Sequence, residues 1–366
     1  MEALGSSGPA RNLFTVADHA ELHLAIFRRR ALGPDHLGAV DHFVAAARGQ
    51  GIAVHVIEQR SRFDPRAIDE ARRVTALTRP DLIESHHITG HTLAALTRPA
   101  ATPWVAWHHG HADVDTNRRA YTRLDRWSLG HADTVITTCA AFKTDLAATG
   151  LPPDGIHVVH HAAPSIARPA RTDARARLGL APDDLVVLAI GRLSPAKGHD
   201  LLINECARFD RRRRQRLVIL IAGDGPERDR LARQAARCGV RLRLDGHQSE
   251  LEAYYASADV FALPSRSEGS PSVLLEAMAA GCAIVASAVG GVPEMVDDLS
   301  AILVPPGNRL ALLEALGFVL SSPAVARGLG EAARRSVRRF SAESRAARIL
   351  AIYRPLLQAT GAAVRG

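Results

Sequence analysis

Two glutamates eight residues apart, Glu268 and Glu276, flank a turn-to-helix junction in the stretch SRSEGSPSVLLEAMAAG, Ser265–Gly281. Ser267-Glu268-Gly269-Ser270 is turn chemistry, Ser270 is a good N-cap, and Pro271 suits the first helical position. A largely apolar helix then runs from Val273 to a stop at Gly281. One carboxylate is therefore expected in the loop and the other about a turn and a half inside the helix. Between them the helix N-terminus offers free N–H groups and a positive dipole end, suited to a phosphate or a sugar hydroxyl. Such a segment can hold a nucleotide sugar at both ends. The plain alternative is a loop glutamate beside an N-cap and a helix glutamate paired to an arginine.

A second set of groups lies in Gly191-Arg192-Leu193-Ser194-Pro195-Ala196-Lys197-Gly198, after an apolar run at Leu185–Ile190. An arginine and a lysine on a glycine-bounded loop at a strand's carboxyl end can clamp a pyrophosphate, one as a planar fork and one as a point charge. A solvated loop pair is the equal alternative. The loop lacks Walker spacing, and Gly223-Asp224-Gly225-Pro226 has no third glycine, so the dinucleotide fingerprint is missing. Trp107-His108-His109-Gly110-His111 offers three histidines in four residues. No carboxylate or cysteine nearby in sequence completes a ligand set, so no metal is expected.

These groups need a scaffold, and the chain alternates short apolar runs with helical patterns. Glu21–Phe27, Ile52–Ile57, Leu82–Ser85, Trp104–Trp107, Thr134–Thr137 and His157–His160 read as strands in the first half. Leu185–Ile190, Leu217–Ala222, Val240–Asp245, Val260–Leu263, Ala283–Ser287 and Ala301–Val304 do so in the second. Runs apolar on all sides fit parallel strands covered by helices on both faces. The expected fold class is α/β, with two doubly wound Rossmann-like domains facing a cleft. The boundary falls in the Pro- and Ala-rich stretch His161–Asp173, dividing residues 1–163 from 164–340. Residues 341–366 contain a terminal helix with Ser341 as N-cap and a kink expected at Pro355. The opening MEALGSSGPARNLF offers almost no strand before its Gly5–Gly8 loop, so the first strand is expected to be abbreviated or missing.

Composition narrows the function classes. The 366 residues exceed one ordinary core, and 47% hydrophobic with 23% charged residues is the balance of a folded globular protein. The four cysteines are scattered without a CxxC pair, against zinc and disulfide frameworks. No apolar run approaches transmembrane length, and the start lacks a basic-then-apolar leader pattern, which points to the cytoplasm. A net charge of +8, with arginine clusters such as Arg211–Arg214, attracts phosphates in general. At 4% aromatic residues there is no stacking pattern for bases, so nucleic acid is not an expected partner. An anionic membrane surface fits the basic patches, with peripheral attachment at the inner face.

Taken in order, GRLSPAKG, AGDGP, GH, YYASADVFALPS, SEGSPSVLLEAMAAG and GGVPEMV resemble the family-4 retaining glycosyltransferases of GT-B fold, across nearly all of Asp184–Asn308. The resemblance implies that Arg192 and Lys197 bind the donor's phosphates. It further implies that Glu268 contacts the transferred sugar, that Glu276 contacts the ribose, and that Gly269, Ser270, Pro271 and Ser272 hold sugar and phosphate. His109-Gly110 resembles the family's His-Gly, whose histidine contacts the sugar or supports the reaction; His108 is a register alternative. The loop Gly5–Asn12 resembles the family's glycine-rich loop, from which only Gly8 carries over as donor-binding. The terminal helix looks like the family's, which crosses back to the first domain.

The implied activity is hexosyl transfer from a nucleoside-diphosphate sugar to a glycan or lipid-linked acceptor hydroxyl, with retention and without a cofactor or metal. Cell-envelope or exopolysaccharide assembly is the implied setting. A nucleotide-sugar epimerase on the same fold and a non-catalytic sugar-nucleotide-binding subunit are the rival readings.

Overall fold

Where the sequence alternates apolar runs with glycine- or proline-marked turns, the chain forms parallel strands joined by helices. The computed structural model describes residues 13–29, 34–61, 64–110 and 118–361. By internal contacts the chain divides into two units: one runs to His161 and takes back the chain from Ala342, and the other is Ala162–Ser341.

In the first unit, β1 (His23–Arg29) and β2 (Ala53–Gln59) pair in parallel over seven residues, joined by the helix Pro34–Gly49. Among the described residues β1 is the first strand of the unit. The expectation of an abbreviated or missing strand ahead of the Gly5–Gly8 loop falls outside the described residues. Strand β1 lies two residues later than the strand read at Glu21–Phe27, because HLAIFRR is a partly buried strand whose ends no wholly apolar run marks. Strands β3 (Ile83–His86), β4 (Trp104–His108), β5 (Thr134–Thr137) and β6 (Ile156–Val158) form a four-stranded parallel sheet in chain order. Trp104 and Ala106 pack on one face with Leu129 and Val135. Val105 and Trp107 pack on the other with Ala346, Ile349 and Tyr353 of the C-terminal helix Ala342–Ala359. That helix runs through Pro355.

The second unit has six parallel strands: β7 (Leu185–Ile190), β8 (Leu217–Ala222), β9 (Arg241–Leu244), β10 (Val260–Leu263), β11 (Ile284–Ser287) and β12 (Ile302–Val304). Their order is β12-β11-β10-β7-β8-β9. Val186, Leu188 and Ile190 enter one core and Val187 and Ala189 the other, so both faces are buried as the unbroken apolar runs require. Residues 159–170 have no regular structure, and the helix Arg171–Arg177 begins inside the stretch read as linker.

The order of the second sheet reverses between β7 and β10. That is the topological switch point of an open α/β sheet, where loops at the strands' carboxyl ends diverge and leave a crevice for a ligand. Arg192, Lys197 and Glu268 all lie on those two loops.

At the opposite ends of the strands, buried Asp184 accepts hydrogen bonds from the Ala181 amide (2.9 Å) and from Arg241 (2.6 Å). Burial pushes its carboxyl up, but the Arg241 hydrogen bond and the Ala181 amide outweigh burial and hold its pKa below the ordinary value. A carboxylate with a depressed folded pKa adds stability above its unfolded pKa and loses it as pH falls through the folded one. Asp184→Asn is expected to lower stability by about 1 kcal/mol at pH 7, since Arg241 is half exposed. The gap to wild type should begin to narrow below about pH 4 and close as the pH falls through the lower folded pKa. Urea melts at pH 7 and pH 3 check this; an equal gap at both would remove the charge-based account.

Candidate active site

Gly191–Gly198 leaves β7 through Gly191 (φ +147°) and a single 3-10 turn, Pro195–Lys197, which ends at Gly198 in the left-handed region (φ +65°). A Cβ on Gly198 would lie 2.0 Å from the Pro264 carbonyl, so only glycine lets this loop reach the one after β10. Arg266 closes the contact. Its amide donates to the Ala196 carbonyl (2.7 Å), and its guanidinium donates to both Asp200 oxygens (2.8 Å each) and to the Pro195 carbonyl (2.6 Å).

The two loops bring together groups that are 71 positions apart in the chain. Lys197 Nζ donates to Glu268 Oε1 (2.7 Å) and Oε2 (2.9 Å), and Ser265 Oγ donates to Oε1 at 2.6 Å. Glu268 is buried, whereas Lys197 keeps part of its side chain in solvent. An ammonium and a carboxylate are thus preassembled at the strand ends. Arg192 is exposed and makes no ion pair among the described residues, so it stands on the same loop but outside this cluster.

Behind Glu268 the helix is Ser272–Ala280, with Pro271 at the N-cap and no capping side chain. The expected Ser270 cap is therefore corrected by one residue. Ser270 Oγ instead donates to Met295 Sδ at 3.7 Å, because the serine is buried against the helix Val292–Met295. Gly269 accepts from the Gly291 amide at 2.9 Å, which fixes the turn carrying Glu268. Glu276 is buried on the fifth residue of the helix and accepts from the Tyr255 hydroxyl at 2.9 Å. The turn after β9 is laced from within. Asp245 accepts from Arg243 and Tyr254, and Gln248 donates to the Asp245 carbonyl.

In the first unit, His109 lies just past the end of β4 and is half-buried, with Nε2 3.0 Å from His86 Nδ1; His86 Nε2 is 2.6 Å from Glu84. Burial, then His86 and His161, push the His109 imidazole well below its ordinary pKa. His108 belongs to another neighbourhood, 3.5 Å from Asp125 and edge-on to Phe142. The two registers are thereby separated, since successive residues at a strand end point to opposite faces. Gly110 (φ +80°) sits against the Phe142 ring, where a Cβ would lie 2.3 Å away. Among the described residues no group of three or more His, Cys, Asp or Glu could hold a metal ion. Gly8 and His111 fall outside the described residues.

Sequence reasoning did not find Ser265, Tyr255, Glu84, His86 or Tyr353. Ser265 and Tyr255 lie inside stretches already singled out, so their hydroxyls were available signals. The other three carried none, because their partners come from elements far off in the chain.

The two halves of the chain match two family models: residues 14–162 the glycosyl transferase 4-like domain and residues 170–336 the glycosyl transferases group 1. Among curated proteins, the D-inositol 3-phosphate glycosyltransferase of Streptomyces bingchenggensis is 33% identical over 304 residues, covering 75% of this chain and 66% of that protein. Its counterpart in Saccharomonospora viridis is 38% identical over 205 residues, covering 52% and 47%. The chain thus spans about two thirds of the first of these relatives and about half of the second. Anabaena HepE in complex with UDP is similar in structure, with a TM-score of 0.82 at 20% identity over 97% of this chain and 98% of that one. Sucrose-phosphate synthase from Thermosynechococcus elongatus follows with 0.72 at 21%, covering 92% and 100%. At these identities the likeness is one of fold. Matched by family models in both halves and by solved structures along nearly its whole length, the chain belongs to the group 1 glycosyl transferases and has the GT-B fold.

Proposed function

We propose that the protein transfers a hexosyl unit from a nucleoside-diphosphate sugar to an acceptor hydroxyl, with retention at the anomeric carbon. The observation that carries this is the Lys197–Glu268 pair at the switch point, beside the start of the helix that carries Glu276. Lys197 and Arg192 neutralise the diphosphate, and the amides of Gly269, Ser270 and Ser272 add donors, stabilising charge that grows on the leaving phosphate. Glu268 holds the sugar hydroxyls and Glu276 the ribose; His109 of the His-Gly pair is the candidate catalytic histidine. The anomeric carbon–phosphate oxygen bond breaks as the acceptor oxygen bonds on the same face. The acceptor's proton passes to the departing phosphate oxygen, so the chain itself supplies no nucleophile, cofactor or metal.

UDP is the first nucleotide to test, because solved structures of similar fold hold UDP, UDP with glucose, and UDP-glucose. A phosphorylated polyol is a reasonable first soluble acceptor, given the names of the curated relatives and the net charge of +8. A glycan or lipid-linked acceptor at an anionic membrane face, in polysaccharide assembly, fits the same charge. Among the described residues no single helix is long and apolar enough to cross a membrane.

Calorimetry against UDP-, GDP- and ADP-hexoses, followed by product analysis with inositol 3-phosphate and lipid-linked sugars, tests the proposal. One donor should bind and release its nucleoside diphosphate faster when an acceptor is present. A new sugar nucleotide formed from donor alone would instead establish the epimerase, and binding without turnover on any acceptor the non-catalytic subunit.

A further inference from the structure

Arg266 stands on the loop after β10, next to Ser265. Ser265 is fully buried and donates to Glu268, whereas the Arg266 side chain is 40% exposed and reaches the neighbouring loop. Its bonds there straddle Lys197. The Arg266 amide and guanidinium donate to the carbonyls of Ala196 and Pro195, the two residues before the lysine. The same guanidinium donates to both oxygens of Asp200, three residues after it.

Asp200 is a firm point of attachment. It lies in the first turn of the helix His199–Cys206, whose Leu202 and Ile203 are fully buried. Its own carbonyl accepts from the buried Gln234 side chain at 2.9 Å, which also donates to Asn204 at 2.7 Å. Burial pushes the Asp200 carboxyl up, but the hydrogen bond and charge of Arg266, with the charge of Arg230, outweigh burial and hold its pKa below the ordinary value. The pair is therefore an ionised, two-pronged fork. Lys197 by contrast sits in a single 3-10 turn, closed by bonds from the Lys197 amide to Ser194 (3.1 Å) and from the Gly198 amide to Pro195 (3.3 Å). Such turns have poor hydrogen-bond geometry and hold themselves weakly. The lysine stem runs along Gly191, where an added Cβ would lie 3.5 Å from Cε. An ion pair as exposed as Arg266–Asp200 contributes little to global stability. Its effect is local, on the residues either side of Lys197.

We propose that Arg266 and Asp200 are positioning residues for Lys197, fixing its turn before the donor arrives so that the ammonium meets the diphosphate without first ordering the loop. The contact with diphosphate rests on the transferase reading above; the ordering of the turn does not. A loop already set does not oppose binding with its own conformational entropy.

Two variants test this because they change charge in opposite directions. Arg266→Ala removes a positive charge and Asp200→Asn a negative one, so a general field effect on a phosphate would shift their affinities for UDP oppositely. Positioning shifts both the same way. Calorimetry should show UDP bound about tenfold more weakly by Arg266→Ala, and more weakly to a lesser degree by Asp200→Asn, which keeps one acceptor oxygen. Added to Lys197→Ala, Arg266→Ala should cause little further loss, since the arginine acts through the lysine. GDP or ADP replaces UDP if the donor screen selects another base. Opposite shifts, or losses that add in full, would overturn the proposal. Amide hydrogen exchange without nucleotide reads the turn itself. In both variants Lys197 and Gly198 should exchange faster, by at least about tenfold in Arg266→Ala, while the amides of β8 keep their wild-type protection. Unchanged protection at Lys197 would overturn the proposal whatever binds. If no nucleoside diphosphate binds the wild type, the transferase reading falls, and the exchange rates still decide whether the clamp orders the turn.

Discussion

Lys197→Ala is expected to lower glycosyl transfer by a factor of about a hundred or more at saturating donor, the usual consequence of removing one preorganised donor from a developing oxyanion. A second effect is superimposed. Glu268 is buried with Lys197 as its cationic partner, so deleting the lysine leaves a carboxylate supported by Ser265 without its counter-charge. Breaking a buried pair in this way is strongly destabilising, though the partial exposure of Lys197 brings the expected loss down to about 2 kcal/mol.

The double variant Lys197→Ala/Glu268→Gln separates the two effects. With the charge gone from Glu268, most of the lost stability should return, whereas transfer should not. Denaturant melts and steady-state kinetics on the single and double variants check this. Activity recovered in the double variant would mean that Lys197 serves only to neutralise Glu268, and its assignment to the diphosphate would have to be withdrawn.

Gly290→Ala is the second large effect. Gly290 has φ +52°, and a Cβ built there would lie 1.7 Å from the carbonyl oxygen of Glu268. The obstacle is backbone rather than the end of a flexible side chain, so the turn carrying Glu268 must move. The Gly291–Gly269 hydrogen bond beside it must lengthen or break. We expect a loss of at least about 3 kcal/mol. What folds should bind donor weakly, because Glu268 is no longer held against Lys197. Gly307→Ala is the control. Its φ is +71° but nothing lies within 4 Å of the added methyl, so only backbone strain of about 1–2 kcal/mol is expected, with donor binding intact. Similar losses in the two variants would show that strain, not the approach of the two loops, is what Gly290 relieves.

Much of this protein is written locally. Leu185–Ile190 and Leu217–Ala222 are strands in the structure over the same residues read from the sequence, because unbroken apolar runs between turn residues have few other stable fates. Glu268 and Glu276 were singled out from a turn-then-helix pattern, and both are held at that junction. The helix start was misjudged by one residue because Ser270 has good capping chemistry, and only the packing of Met295 diverts its hydroxyl. The strand read at Glu21–Phe27 runs two residues later, at His23–Arg29, for a related reason: HLAIFRR is only partly buried and its periodicity is weak.

The sequence by itself determined the α/β alternation, the family and the residue types on each loop, since periodicity, turn chemistry and motif order are properties of neighbouring positions. The tertiary structure decided which of those residues meet. Strand order places the loop of Lys197 beside that of Glu268. The register of β3 against β4, with the returning C-terminal helix, ties Glu84 to His86, His109 and Tyr353 across as many as 269 positions. Contacts of that span depend on how whole strands and helices pack, and no local pattern encodes them.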